Sequence, residues 1–157
     1  MSTFLRLAVG GDHAGFAQKG AIIAFLRRLG HTVEDCGSHD PAPVDFPDVS
    51  VAVCERVLSG HADRGILICG SGVGACIAAN KVPGIRASLI HDIYCAHQCV
   101  EHDDVNVACI GTLVVGMKAI EDCLPAFLNA TYSTDVDIRR RVEKLTAIER
   151  RTDWKRG

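Results

Sequence analysis

The sequence has eight cysteines, at positions 36, 54, 69, 76, 95, 99, 109 and 123, yet no CxxC pair among them. Scattered through apolar segments, they point to reduced, mostly buried thiols and exclude the disulfide framework of a small secreted domain. Also missing is any apolar run long enough to span a membrane. Met1 to Val9, with a single arginine, is too short for the hydrophobic region of a signal peptide, so the expected location is cytoplasmic. Neither sign of charge is in excess. A net charge of -2 and a pI near 6.4 give no reason to expect nucleic acid or an anionic membrane as partner, and any anion site must be local. No internal repeat, low-complexity segment or linker is present. A chain of 157 residues that is 48% hydrophobic and 23% charged suits one globular domain spanning residues 1–157.

What is present is an alternation of short β-branched runs with stretches of helical period. Leu5 to Val9 is the first expected strand, with a turn at Gly10 to Gly15. A helix follows, with Ala21, Ile22, Phe25, Leu26 and Leu29 on one face and Gly30 as its stop. Thr32 to Asp35 is the second strand. Three prolines between Cys36 and Pro47 indicate a loop, after which Asp48 to Ser59 is helical. Gly65 to Cys69 is apolar without alternation, as a parallel strand covered on both faces requires. The pattern continues as helix Ala75 to Lys81, strand Arg86 to Ile90, helix Asp92 to His102, strand Val105 to Ile110 and helix Met117 to Asn129. Five βα repeats predict a three-layer αβα sandwich around a doubly wound, five-stranded parallel sheet of Rossmann-like type, with ligands beyond the carboxyl ends of the strands. An extra C-terminal helix, about 136–151, carries Val142, Leu145 and Ile148 on one face, which suits packing on its own domain or on a second subunit.

Four clusters fall at expected strand ends: Gly10-Gly11-Asp12-His13, Asp45-Phe46-Pro47, Cys69 to Gly74, and His102-Asp103-Asp104-Val105-Asn106. The first, third and fourth are expected to meet in one crevice. In Cys69-Gly70-Ser71-Gly72-Val73-Gly74, three glycines let backbone N–H groups converge at a helix start, a nest that stabilises an anion. The same field would favour the Cys69 thiolate, and a thiolate of pKa ~7 is a competent proton acceptor at neutral pH. A tight turn with an inert buried cysteine satisfies the motif equally well.

Two rival chemistries are weaker. Gly10, Asp12 and Gly15 match a GxGxxG dinucleotide loop except that a carboxylate takes the middle place and would face a pyrophosphate with the wrong sign; no GxxxxGK[ST] loop occurs. His91, Cys95, Cys99 and His102 share a helix stripe and have the types of zinc ligands, but no second ligand cluster accompanies them, and small cysteines on a buried face with histidines capping the helix explain them as well.

Together, GGDHAGF, DFPD, ICGSGVG, IAANKVPGIRA, HDDVN and RVEKLTAIE resemble the type B ribose-5-phosphate isomerase family, over nearly the whole chain. The resemblance implies a metal-free, cofactor-free aldose-ketose isomerase, acting on a small sugar phosphate as a homodimer with shared active sites, its dimers open to further association. It implies Cys69 as the base, Ser71 and the amides of Gly70, Gly72, Val73 and Gly74 at the enediolate oxygen, and His102 as the ring-opening residue. Asp12, His13, Asp45, Asp103, Asn106 and Arg141 would bind substrate. A branch of the family places a glutamate where this chain has Ala75, which leaves cysteine as the base. Phe46, Leu113 and Asp137 depart from the family pattern of one tyrosine and two phosphate-binding arginines, with Arg139 and Arg140 near enough in sequence to substitute. Ribose 5-phosphate is the default substrate. Allose 6-phosphate, a tetrose phosphate, a free sugar, or a silent sugar-phosphate-binding role are the alternatives, and retention of Cys69, Ser71 and His102 together speaks against the last.

Overall fold

The computed structural model describes residues 4–154; the expectation for Met1 to Val9 lies partly outside that range. Its elements run β1 (Arg6–Gly11), α1 (Phe16–Arg28), β2 (Thr32–Asp35), α2 (Phe46–Leu58), β3 (Arg64–Cys69), α3 (Val73–Ala79), β4 (Ala87–Leu89), α4 (Ile93–Asp103), β5 (Val107–Gly111), α5 (Met117–Asn129) and α6 (Val136–Glu149). The strands form one parallel sheet in the order β2-β1-β3-β5-β4. This is the doubly wound sheet expected from the βα alternation, with α6 as the extra helix.

Side chains alternate across the pleat and so divide the interior in two. Leu7, Val9, Ile66, Ile68, Ala108 and Ile110 face α1, α4 and α5, where Leu26, Val100 and Phe127 meet them. Ala8, Leu67, Cys69, Val107 and Cys109 face the opposite way, onto Val53 and Cys54 of α2 and Ala75 and Ala79 of α3. Each fully buried large apolar side chain contributes ~1.5–3 kcal/mol, so the central strand, apolar on both faces, anchors both layers. Cys69 therefore lies on the α2/α3 side at the carboxyl end of the central strand.

Of the boundaries that differ from the sequence expectation, three bear on the site. β1 runs on through Gly10 and Gly11, because α2 packs so closely that a β-carbon at Gly10 would stand 2.7 Å from Val53 Cγ2. α2 starts at Phe46, with Pro47 in its first turn, where the missing N–H would have no helical partner in any case. α3 starts at Val73, directly out of the glycine turn. α6 buries only Val142 and packs on α4, leaving Leu145 and Ile148 largely exposed. Among the described residues no helix is long and apolar enough to cross a membrane.

Candidate active site

The chain order reverses between β1 and β3, so their carboxyl ends open the crevice in which ligands of such sheets bind. Asp12 and His13 follow β1 there, and Cys69 closes β3. Gly72 has φ +80°, and a β-carbon on it would stand 2.6 Å from Leu89 Cδ2, so only glycine fits. This turn brings the Gly72 N–H to the Cys69 sulfur at 3.0 Å. The N–H groups of Ser71 and Ala75 also face that sulfur.

The expected thiolate field is present, but it does not win. Cys69 is 5% exposed, and burial, the largest effect, pushes its thiol above the ordinary value. The N–H groups oppose this, while the Asp12 carboxylate adds to it. The sequence reveals the direction of the amides, whereas the cost of burial depends on how α2 and α3 close over the sulfur.

Ser71 Oγ accepts from the Val73 N–H at 3.2 Å, which leaves its own hydrogen free to donate. Asp12 Oδ1 accepts from the N–H groups of Ala14 and Gly15, each at 3.0 Å, and its second oxygen is free of these contacts. His13 Nδ1 accepts from Val44 N–H at 3.4 Å and steadies the proline-rich loop. Asp45 precedes α2 without capping it and lines, with His39, Asp40 and Asp48, a hollow of about 450 Å³ beside the crevice. The Phe46 ring lies over Gly74, and Leu113, 84% exposed, stands beside Gly70.

The loops after the five strands, residues 12–15, 36–45, 70–72, 90–92 and 112–116, contain no lysine or arginine. They carry Asp12, Asp40, Asp45 and Asp92 with three histidines. Lys19 does come close beneath them, but its ammonium is buried and spent on Asp35 Oδ1 at 2.6 Å and Ser38 O at 2.5 Å.

One expectation fails within the chain. The cluster His102, Asp103 and Asn106 does not share the rim of Cys69, because it precedes β5 instead of ending a strand. Gly65 pairs with Val107 and Cys69 with Gly111, so four residues of sheet, ~13 Å, lie between the two groups. Asn106 spends its side chain locally: Oδ1 accepts from Arg86 N–H at 2.9 Å and Nδ2 donates to Gly84 O at 3.0 Å. His102 Nδ1 lies 3.4 Å from Gln98 Nε2, and Asp103 helps line a cavity of about 630 Å³ with Arg86, Leu145, Glu149 and Trp154. Arg141 is exposed on α6, the helix that packs on α4. Arg139 is taken up by Ser133 O and the Tyr132 ring, and Arg140 pairs with Asp137.

Cys76 had no functional reading in the sequence, and His91 had only those of a zinc ligand and a helix cap. His91 does not cap α4; Asp92 does, accepting from Cys95 N–H at 2.7 Å, while His91 Nε2 accepts from Gly111 N–H at 2.8 Å. Cys76 meets the Cys109 thiol across the α3/β5 contact, and that hydrogen bond lowers it from 9.0 to about 7. Both depend on contacts between distant segments that no local spacing encodes. Among the described residues, no three His, Cys, Asp or Glu side chains gather as metal ligands.

Comparison with known proteins bears on this geometry. The profile of the family described as Ribose/Galactose Isomerase matches residues 7–145. The chain is 41% identical over 146 residues to ribose-5-phosphate isomerase B of Escherichia coli (strain K12), covering 93% of this chain and 97% of that protein. It is 36% identical over 148 residues to D-erythrulose-4-phosphate isomerase 2 of Mycolicibacterium smegmatis, covering 92% and 97%. The solved structure of Clostridium thermocellum ribose-5-phosphate isomerase B superposes with a TM-score of 0.89 at 42% identity, covering 92% of this chain and 97% of that one.

Proposed function

The chain belongs to the Ribose/Galactose Isomerase family, and from that premise we propose that it interconverts ribose 5-phosphate and ribulose 5-phosphate with Cys69 as the base. The observation that carries this is the Cys69 sulfur, held by Gly72 N–H at 3.0 Å beside a Ser71 hydroxyl with a free hydrogen. As thiolate, Cys69 takes the proton from C2 of the open-chain aldose. The C–H electron pair forms the C1–C2 double bond of an enediolate, and the carbonyl oxygen takes the negative charge. Transfer of the O2 hydroxyl proton to O1, with return to C1 of a proton from the Cys69 thiol, which can exchange with solvent, gives the ketose. Ser71 donates to the developing oxyanion, a kind of contact that lowers such a barrier by several kcal/mol when pre-oriented. The amides of Ser71 and Gly72 in the nest, with that of Ala75 behind it, face the sulfur, so their part is to hold the thiolate. Asp12 accepts from a sugar hydroxyl with its unused oxygen.

His102 opens the sugar ring in this scheme, and for that it must come from a second copy of the chain, since its own Cys69 lies at the other end of the sheet. A homodimer whose active sites each combine one carboxyl rim with the partner's α4 and α6 meets that need. It also brings the partner's Arg141 toward the phosphate, opposite His13. The cytoplasm suits such an enzyme and its free thiols.

The absence of lysine and arginine from the five rim loops, with exposed Leu113 in their midst, favours a second reading: the same chemistry on a tetrose phosphate or a free sugar. One experiment decides. The purified protein is incubated with ribose 5-phosphate, allose 6-phosphate, erythrose 4-phosphate and free ribose, each with EDTA. Ribose 5-phosphate is expected to turn over fastest and without metal. Faster turnover of another sugar replaces the substrate, and no turnover of any of them sinks the reading.

A further inference from the structure

We propose that His91 is a positioning residue for the isomerase site: its imidazole, protonated on Nδ1, fixes through the Gly111 amide the backbone that carries Cys69 and Ser71. The proposal rests on the isomerase reading above.

β4 ends at Leu89, whereas the adjoining β5 runs on to Gly111. The ladder between them pairs Leu89 with Cys109, and Ile90 N–H still donates to Cys109 O at 3.1 Å. Beyond that point the Gly111 N–H has no strand acceptor, and His91 Nε2 takes the place of the missing carbonyl at 2.8 Å. An imidazole nitrogen accepts only when it carries no proton, which puts the ring hydrogen on Nδ1.

Gly111 is pressed against the nest. A β-carbon on it would stand 2.4 Å from both the carbonyl carbon and the carbonyl oxygen of Ser71. The next two amides, of Thr112 and Leu113, donate to the carbonyls of Cys69 and Gly70, each at 3.0 Å. Residues 111–113 thus form a backbone splint along Cys69, Gly70 and Ser71, and His91 secures the end at which β4 gives out. Without that acceptor the splint is free to shift, and misplacement of ~1 Å at reacting groups costs turnover on the order of a hundredfold.

The test compares His91→Ala with His91→Gln, whose amide oxygen reaches the place of Nε2. His91→Ala is expected to lower kcat at least about tenfold, ~1.4 kcal/mol, with KM within about threefold of wild type. His91→Gln recovers most of the loss. If His91→Ala does not fold, His91→Asn, whose shorter side chain falls short of Gly111, stands in for it. A second readout needs no turnover: in ¹⁵N spectra the amides of Gly70, Ser71 and Gly111 shift in the deficient variant and return in His91→Gln. Unchanged kcat, a loss confined to KM, no rescue by glutamine, or unmoved amides each overturn the proposal. Wild-type protein inactive on every sugar counts against the isomerase reading instead, and the amide shifts then decide on His91 by themselves.

Discussion

At the scale of the residue, Cys69 is a balance between N–H groups that favour its thiolate and a burial that favours its thiol, with burial ahead. The thiolate, the form the proposed chemistry needs, is therefore the minority near neutral pH. For a thiol whose pKa lies above the ordinary value near 9.0, kcat/KM rises with pH through neutrality and is still rising at about pH 8. Cys69→Ala removes the proposed base and little volume, so fold and substrate binding are expected to stay while isomerisation and solvent deuterium exchange at the sugar carbon disappear. A variant keeping more than about a tenth of wild-type turnover, or a wild-type profile flat between about pH 6 and 8, would show that another group takes the proton. The sequence displays the glycines and the cysteine but not the closeness of Val53, Cys54 and Ala75 over them. That is why the sign of the amide effect is readable from the motif and the net shift is not.

Among the elements, strands and helices are legible because each period is set by one face of packing. The departures fall where sequence offers two meanings. Pro47 signals a break, yet a first helical turn accepts it; Gly10 and Gly11 signal a turn, yet a strand needs the first under the close helix α2 and the second against the Ile68 carbonyl of β3. The cluster at the end of α4 has the composition of a strand-end loop, and nothing local tells the beginning of a strand from its end. The loop after β5 and the start of α6 yield a prediction. Leu113 and Asp137 stand where the family pattern has arginines, and each arginine–phosphate contact is worth ~1.5–3 kcal/mol. Leu113→Arg combined with Asp137→Arg is expected to lower KM for ribose 5-phosphate by about tenfold or more, ~1.4 kcal/mol, with kcat little altered. The second change also releases Arg140 from its pair and removes a carboxylate from the first turn of α6, at a cost of ~0.3–1 kcal/mol in helix stability. Micromolar KM in wild type with no gain in the double variant would mean that other groups hold the phosphate.

For the whole molecule, the decisive fact is that the proposed machinery is divided between two ends of one sheet. Cys69→Ala and His102→Ala, each impaired alone, should complement when mixed under conditions that exchange subunits. Random pairing makes about half the dimers mixed, and each of these has one intact site of two, so about a quarter of wild-type activity returns. Activity equal to the average of the separate variants would place both residues in a single subunit's site. The same division makes catalysis a property of abundance. On the proposed scheme a lone chain carries a base with no ring-opening partner, so once the protein is diluted below the dissociation constant of its dimer, output is expected to follow the square of its concentration, and halving expression of the gene to remove about three quarters of the flux.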